Sequence, residues 1–278
     1  MTGRQDKERR TKVAQIQMNT QEDKAANLRT AERLVSEACE SERPDLVVLP
    51  EYYASLNPVQ AEQRATAEEF PDGDSYRLMS SLASKFKVTI HAGSVVEKSG
   101  NQFYNSTVVF GPAGNEIARY RKIHLFDVVV PGGIRYMESD NVARGEEIVT
   151  YPVGDFLVGC SICYDLRFPE LFRRLRDRNV DVIALPAAFT SQTGKDHWEP
   201  LCRARAIETQ TYFLATAQFG PHAGGKKSCW GHTMAIDPWG SVIAQASDGV
   251  GFITARLDKP YIGTIRENLP VANHHVLD

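Results

Sequence analysis

The chain has 278 residues, of which 42% are hydrophobic, and its formal net charge is −3 at pH 7. This length allows a hydrophobic core that is stable without disulfides or structural metals. Acidic and basic residues are interleaved and no apolar run is long enough to span a bilayer, so we predict that the protein binds neither nucleic acid nor a membrane.

Cysteine usage gives a prediction of the compartment. Five cysteines are present, at positions 39, 160, 163, 202 and 229. The number is odd and the spacing is not that of a disulfide framework, which favours a reducing compartment, and we predict the cytoplasm. Cys160 and Cys163 form a C-x-x-C pair, but a zinc site would need a second pair. Cys160 falls inside an apolar run and is predicted to be a core residue, with a redox role for the pair as the alternative.

The first half of the chain predicts a sheet covered by helices. Residues 1–12 are polar, lack the apolar stretch of a secretory signal and are predicted to form a flexible tail, while residues 13–278 form one domain. A strand at 13–18, an amphipathic helix at 24–39 and an apolar strand at 46–49 make a β-α-β unit. The elements predicted next are helices at 57–70 and 75–87 and strands at 88–96, at 104–110 and from 117 onward.

The second half alternates strands, helices and loops. Residues 127–142 lack periodicity and are predicted to form a long functional loop. The predicted strands are 148–151, 155–161, 180–185, 212–217, 233–236, 242–245 and 251–257. The predicted helices run to residue 178 after a turn at Cys163, from 196 to 210 with Pro200 in the first turn, and from 260 to 267. Loops are predicted at 190–194 and 221–227.

A residue whose side chain can take part in catalysis lies at or just after the end of three predicted strands. Glu51 follows the strand at 46–49, Lys122 ends the strand from 117, and Cys163 follows the strand at 155–161. Ends of neighbouring strands converge in layered α/β folds, so the three side chains can meet. Together they suit acyl transfer to a thiol, in which the carboxylate moves protons while the ammonium lowers the thiol pKa and stabilises an oxyanion.

Each of these residues also has an ordinary structural explanation. Taken alone, Glu51 is better explained as a helix cap or as the partner of an arginine. Lys122 belongs to a basic triplet, and such runs are usually solvated. A cysteine at a strand end is most often a small buried hydrophobe.

The chain resembles the nitrilase, or carbon–nitrogen hydrolase, superfamily over almost its whole length after the tail. The resemblance implies a four-layer α-β-β-α sandwich that assembles as a homodimer or a higher even oligomer. The segments that carry it are L-P-E-Y-Y at 49–53, Y-R-K-I-H-L-F-D at 120–127, C-Y-D-L-R-F-P-E at 163–170, T-G-K-D-H-W-E at 193–199, R-A-R-A-I-E-T-Q at 203–210 and G-H-T-M-A-I-D-P-W-G at 231–240.

The resemblance implies a role for each strand-end residue. Glu51 is expected to be the general base, Lys122 to stabilise the tetrahedral intermediate, and Cys163 to be the nucleophile. The backbone N–H of Tyr164 is expected to complete the oxyanion hole. Glu138 matches a second glutamate of the family that holds the substrate amide or Lys122, and pairing with an arginine such as Arg144 is the alternative.

The segments after the nucleophile are most similar to the branch that hydrolyses deaminated glutathione and ω-amides. These substrates carry carboxylates, and Arg167 matches the position that binds the carboxylate in that branch. A salt bridge from Arg167 to Asp165 or Glu170 is the alternative. The predicted substrate-binding residues are Tyr164, Arg167, Phe189 and His197.

Two further features have open interpretations. His197 and Trp198 either line the pocket or serve packing. Lys226 and Lys227, in the glycine-rich loop at 221–227, either meet acidic substrates or face water.

The predicted function is cysteine-dependent hydrolysis of the terminal amide of a carboxylate-bearing small molecule, with release of ammonia and without a metal or organic cofactor. Hydrolysis of N-carbamoyl compounds, aliphatic amides or nitriles by the same three residues is the nearest alternative. A scaffold without activity and a redox protein using Cys160 and Cys163 are the others. A scaffold is disfavoured because Glu51, Lys122, Glu138 and Cys163 are all present.

Overall fold

The computed structural model describes residues 11–129 and 135–276. Over these ranges the strands are β1 (Thr11–Gln17), β2 (Leu46–Val48), β3 (Thr89–His91), β4 (Val95–Ser99), β5 (Gln102–Phe110), β6 (Glu116–Arg121), β7 (Asp127–Val129), β8 (Arg135–Met137), β9 (Thr150–Val153), β10 (Phe156–Cys160), β11 (Val182–Ala187), β12 (Tyr212–Ala217), β13 (Phe219–His222), β14 (Lys227–Trp230), β15 (Met234–Ile236), β16 (Val242–Gln245) and β17 (Gly251–Leu257). The α-helices are α1 (Lys24–Glu42), α2 (Gln60–Ala65), α3 (Asp74–Phe86), α4 (Pro169–Asp177), α5 (Ser191–Thr209) and α6 (Lys259–Asn268). Short 3₁₀-helices occupy Glu138–Asp140, Cys163–Arg167 and Val271–His274.

Most strands belong to two sheets. In the first sheet the order is β17-β1-β2-β3-β5-β4, and β6 pairs with β5. In the second sheet the order is β16-β15-β12-β11-β10-β9. The centre of each sheet is parallel, through β1, β2 and β3 in one and β10, β11 and β12 in the other. The pairs β7–β8 and β13–β14 form two separate hairpins.

The apolar residues around β2 show how the layers are built. Leu46 and Val48 join the core shared with the second sheet, whereas Val47 and Leu49 join the core formed with α1 and α3. Successive side chains of a strand point to opposite faces, so a continuous apolar run is what a sheet covered on both faces requires.

The second sheet is covered in the same way. Leu171 and Leu175 of α4, and Trp198 and Cys202 of α5, belong to the core that also holds the residues between the sheets. The predicted α-β-β-α sandwich is therefore confirmed. Within the described ranges, the helices are all too short or too polar to cross a membrane.

The strand predicted at 88–96 is two strands, β3 and β4, because the backbone turns sharply at Gly93. Its φ is +46°, and a Cβ there would lie 2.0 Å from the carbonyl oxygen of Pro50. Only glycine permits this conformation and this approach. The turn brings β4 beside β5, and the Ser94 N–H donates to the Pro50 carbonyl at 3.3 Å, directly before Glu51.

The prediction of a loop at 190–194 is wrong, because α5 already begins at Ser191. Thr190 is the N-cap residue, and the Gly194 N–H donates to its carbonyl at 2.7 Å. A Cβ on Gly194 would lie 2.3 Å from Cβ of Trp230, so glycine lets the first turn of α5 pack closely on β14. Pro200 consequently lies inside α5 rather than in its first turn.

Two other predicted loops contain hairpins. Residues 127–142 include β7, β8 and a 3₁₀-helix, although 130–134 of the predicted loop fall outside the described residues. The loop at 221–227 is the turn of the β13–β14 hairpin together with parts of its strands. Of the predicted tail, Thr11 and Lys12 belong to β1, and residues 1–10 are outside the described ranges.

Candidate active site

The three strand-end residues predicted from the sequence converge at one place between the sheets. Glu51 follows β2 and Lys122 follows β6 in the first sheet, whereas Cys163 follows β10 in the second. Their relative exposures are 2%, 2% and 8%. All three line the same cavity.

A network of hydrogen bonds joins two carboxylates through one ammonium. Nζ of Lys122 donates to Oε1 of Glu51 and to Oε2 of Glu138, each at 2.9 Å. Nδ2 of Asn105 also bridges them, donating to Oε1 of Glu51 and Oε1 of Glu138 at 2.9 Å each. Oε2 of Glu51 accepts the Ala188 N–H at 2.8 Å. Every carboxylate oxygen of the pair is therefore engaged, which fixes both side chains.

Glu138 has two further donors. The Tyr52 hydroxyl donates to its Oε1 at 2.9 Å, and the Phe126 N–H donates to its Oε2 at 2.7 Å. Among the residues that the structure describes, its salt-bridge partner is Lys122 rather than Arg144. This contact agrees with the expectation that Glu138 holds Lys122.

Cys163 is held in an unusual backbone conformation. Its φ is +44°, in the left-handed region that residues other than glycine rarely adopt. The turn is held by the buried Asp165 carboxylate, which accepts the Ile162 N–H at 2.8 Å, the Tyr120 hydroxyl at 2.7 Å and the His124 N–H at 3.0 Å. Strain of this kind persists only where the surroundings enforce it, and it is found most often at functional sites.

Burial and charge together keep the thiol neutral. Burial raises the pKa of Cys163 well above its usual value, the Glu51 carboxylate raises it further, and the opposing effect of the Lys122 ammonium is smaller. The Lys122 ammonium lowers the thiol pKa as predicted, but burial and Glu51 outweigh it, so the net pKa is raised. The thiol is protonated at neutral pH and needs a base in order to attack, and the Glu51 carboxylate lines the same cavity.

The ammonium and the second carboxylate are charged. Burial by itself would lower the pKa of Lys122, but Glu138 and Glu51 outweigh it and hold the pKa well above its ordinary value. Burial would likewise raise the pKa of Glu138, yet Lys122, Asn105 and the Phe126 N–H hold it below its ordinary value. The site thus presents a fixed positive charge beside the thiol.

The cavity over the thiol has a volume of about 350 Å³. Two of the four predicted substrate-binding residues, Tyr164 and Phe189, line it. The Tyr164 N–H lies in the first turn of the 3₁₀-helix, where backbone N–H groups lack helical partners.

The other two predicted substrate-binding residues, Arg167 and His197, are not in the cavity lining, and this corrects their predicted position. The guanidinium carbon of Arg167 lies 5.2 Å from the centre of the Phe189 ring, and its Nη2 lies 3.3 Å from Nδ1 of the exposed His197. Neither Asp165 nor Glu170 forms a salt bridge with Arg167 in the described part of the chain. Arg167 reaches the cavity through the Phe189 ring rather than directly.

The positions of Cys160 and Trp198 decide between a core role and the alternative role given for each residue. Cys160 is fully buried within β10, and burial raises the pKa of its thiol. Trp198 is also fully buried, and its Nε1 donates to the His232 carbonyl at 2.9 Å. Both therefore serve the core.

Several residues of the site were not predicted from the sequence. Asn105 begins a polar run in an otherwise apolar strand, which is the signal that should have identified it. Tyr52 lies inside the L-P-E-Y-Y segment, directly beside Glu51. Arg135, from the β7–β8 hairpin, also lines the cavity. Lys227, from the β13–β14 hairpin, lines it too, and a contact with acidic substrates was one of the two interpretations given for this residue. Within the described ranges, groups of three or more metal-ligating side chains are absent.

Comparison with known proteins identifies the family. The model of the family described as carbon-nitrogen hydrolase matches residues 12–267. The chain is 39% identical over 270 residues to a deaminated glutathione amidase of Synechocystis, covering 95% of this chain and 97% of that protein. It is 36% identical to an omega-amidase of Danio rerio, covering 94% and 92% of the two chains. The crystal structure of Saccharomyces cerevisiae Nit3, described as a member of branch 10 of the nitrilase superfamily, superimposes with a TM-score of 0.85 at 30% identity, covering 94% and 95%.

Proposed function

The chain belongs to the carbon–nitrogen hydrolase family, and from this membership we propose that it hydrolyses the terminal amide of a carboxylate-bearing small molecule through a thioester on Cys163. The observation that carries the proposal is the meeting of the Cys163 thiol, the Glu51 carboxylate and the Lys122 ammonium in one cavity. A nucleophile, a base and a cation in contact are the groups that acyl transfer needs.

In the first half-reaction, Sγ of Cys163 attacks the amide carbon while Glu51 takes the thiol proton. The proton transfer is needed because the thiol is neutral in the resting site. The negative charge that develops on the amide oxygen is stabilised by the Lys122 ammonium and the Tyr164 N–H. Glu51 then gives the proton to the leaving nitrogen, the C–N bond breaks, and ammonia leaves.

In the second half-reaction, a water molecule replaces ammonia. Glu51 takes a proton from this water as its oxygen attacks the thioester carbon. The C–S bond breaks, the product leaves as a carboxylic acid, and the proton returns to Cys163. Glu51 thus acts as base and acid in turn, and the two hydrogen bonds from Lys122 and the Ala188 N–H keep it in position.

Two observations support a carboxylate-bearing substrate. The relatives at 39% and 36% identity are named as amidases of deaminated glutathione and of ω-amides. In addition, the side chains of Arg135 and Lys227 line the cavity as cations. An anionic substrate would complement them.

The experiment that tests the function is a screen for ammonia release. The purified protein is incubated with dicarboxylate monoamides, neutral aliphatic amides, N-carbamoyl compounds and nitriles. We expect the highest kcat/KM for a dicarboxylate monoamide such as succinamate. Faster turnover of a nitrile or a carbamoyl compound would instead assign the protein to another branch of the family.

We further propose that the protein is a homodimer in the cytoplasm. Ile207 of α5, Trp239 in the β15–β16 turn and Ile243 of β16 are 50%, 60% and 42% exposed, an apolar surface that a second copy would bury. All five cysteines are free and buried, as suits a reducing compartment. Light scattering on the Trp239→Asp variant should show a monomer, and an unchanged mass would assign the surface another role.

A further inference from the structure

The β13–β14 hairpin carries a lysine into the active-site cavity. Lys227 and Cys229 are two residues apart in β14, so they lie on the same side of the strand, and both line the cavity. The hairpin is fixed to the catalytic layer, because the Trp230 N–H donates to the Phe189 carbonyl at 2.8 Å. Lys227 is therefore held beside the strand end that also supplies the Ala188 N–H.

Over residues 11–129 and 135–276, no carboxylate forms an ion pair with the Lys227 ammonium. Its Nζ lies 4.6 Å from the centre of the Tyr136 ring, and among the described residues no carboxylate forms a salt bridge with it. Two other partly buried lysines, Lys12 and Lys24, are paired with Glu42 and Glu68. Burial lowers the pKa of Lys227, which shows that its environment disfavours the charge as it stands.

A partly desolvated cation without an anion is unfavourable unless a ligand supplies one. Lys227 can bind an anionic group of a ligand in the cavity. The ammonium of Lys122 is already engaged by both glutamates. The aromatic ring of Tyr136 beneath the ammonium restricts its position while leaving its N–H groups available.

We propose that Lys227 binds the carboxylate of the amide substrate and so determines which amides are hydrolysed. The proposal rests on the proposed amidase function of the same cavity. It differs from the expectation for Arg167, whose guanidinium contacts Phe189 and His197 outside the cavity lining. Lys227 is a substrate-binding residue and takes no part in the bond-making steps.

The kinetic test compares two substrates of equal chain length. Succinamate has the carboxylate, and butyramide has a methyl group in its place. In Lys227→Met, kcat/KM for succinamate should fall about 10- to 100-fold because KM rises. For butyramide, kcat/KM should fall far less. The matched control is Lys226→Met, which removes the same charge from the neighbouring exposed position and should change neither substrate. Equal losses on both substrates, or no loss on succinamate, would overturn the proposal.

A binding test separates this proposal from the proposed function. Titration calorimetry with succinate measures carboxylate binding without turnover. The wild type should bind succinate, Lys227→Met should bind it about tenfold more weakly, and Lys227→Arg should keep most of the affinity. If no amide is hydrolysed but succinate binding depends on Lys227, the amidase function fails and the carboxylate site stands. If the wild type does not bind succinate, or binding is independent of Lys227, the site is wrong even when amides are hydrolysed.

Discussion

Nζ of Lys122 lies 2.9 Å from Oε2 of Glu138, and the two side chains are only 2% and 11% exposed. Because the Glu51 carboxylate contacts the same ammonium at 2.9 Å, Lys122 is held between two carboxylates. The position of the positive charge is therefore fixed before substrate binds. Fixed charge of this kind is what stabilises a developing oxyanion most effectively.

The first prediction concerns the glutamate that holds Lys122. Glu138→Gln keeps the shape of the side chain but removes its charge, so Lys122 should be less well positioned for the oxyanion. We expect kcat for amide hydrolysis to fall about 100-fold with little change in KM. Tyr52→Phe removes only one of the donors to Glu138 and should cost much less. A rise in KM with kcat preserved would show instead that Glu138 binds the substrate amide.

The second prediction concerns Asn105, whose Nδ2 bridges the two glutamates. Asn105→Ala removes one donor from each carboxylate, and we expect kcat to fall about tenfold while substrate KM stays the same. The control is Ser106→Ala, at the next position of β5, because the Ser106 hydroxyl contacts Glu97 and not the site. If both variants lose activity equally, the effect belongs to the stability of β5 and not to the carboxylates.

The third prediction follows from the neutral thiol. Burial raises the pKa of Cys163 above its usual value, so the thiolate fraction is small at neutral pH and grows as pH rises. The rate of Cys163 modification by methyl methanethiosulfonate, followed by mass spectrometry, should increase about tenfold per unit across about pH 6 to 9 without levelling off. A rate that is already constant below about pH 7 would mean that the resting site holds a thiolate.

The fourth prediction concerns Arg167. The Arg167 guanidinium lies against the Phe189 ring and outside the cavity lining, so Arg167→Ala should disturb Phe189. We expect kcat/KM for succinamate and for butyramide to fall to a similar, few-fold extent. The measurement is the ratio of the two kcat/KM values in the variant and in the wild type. A selective loss on succinamate would restore the role that the sequence resemblance gave to Arg167.

Much of the site was predictable because its residues follow continuous apolar strands. Residues 46–49 are apolar at every position, which indicates a strand buried on both faces, and Glu51 follows after Pro50. Cys163 follows β10 in the same way. The ends of such strands converge in layered sheets whatever contacts the individual side chains make.

The remainder depended on tertiary contacts that leave weak local signals. The first turn of α5 resembles a loop in composition, and Gly194 is present because Trp230 packs against it. Lys227 and its exposed neighbour Lys226 are indistinguishable in sequence, since only the register of β14 directs one of them to the cavity. The direction of the net pKa shift of Cys163 could not be deduced either, because it depends on how deeply the thiol is buried.

The most direct test of the central claim is ammonia release from succinamate by the wild type and by Cys163→Ala. The variant removes only the sulfur that is proposed to form the thioester, and circular dichroism should show that its fold is intact. We predict turnover by the wild type and none above background by the variant. Turnover by a folded Cys163→Ala protein would contradict the account, because amide hydrolysis would then proceed without the proposed nucleophile.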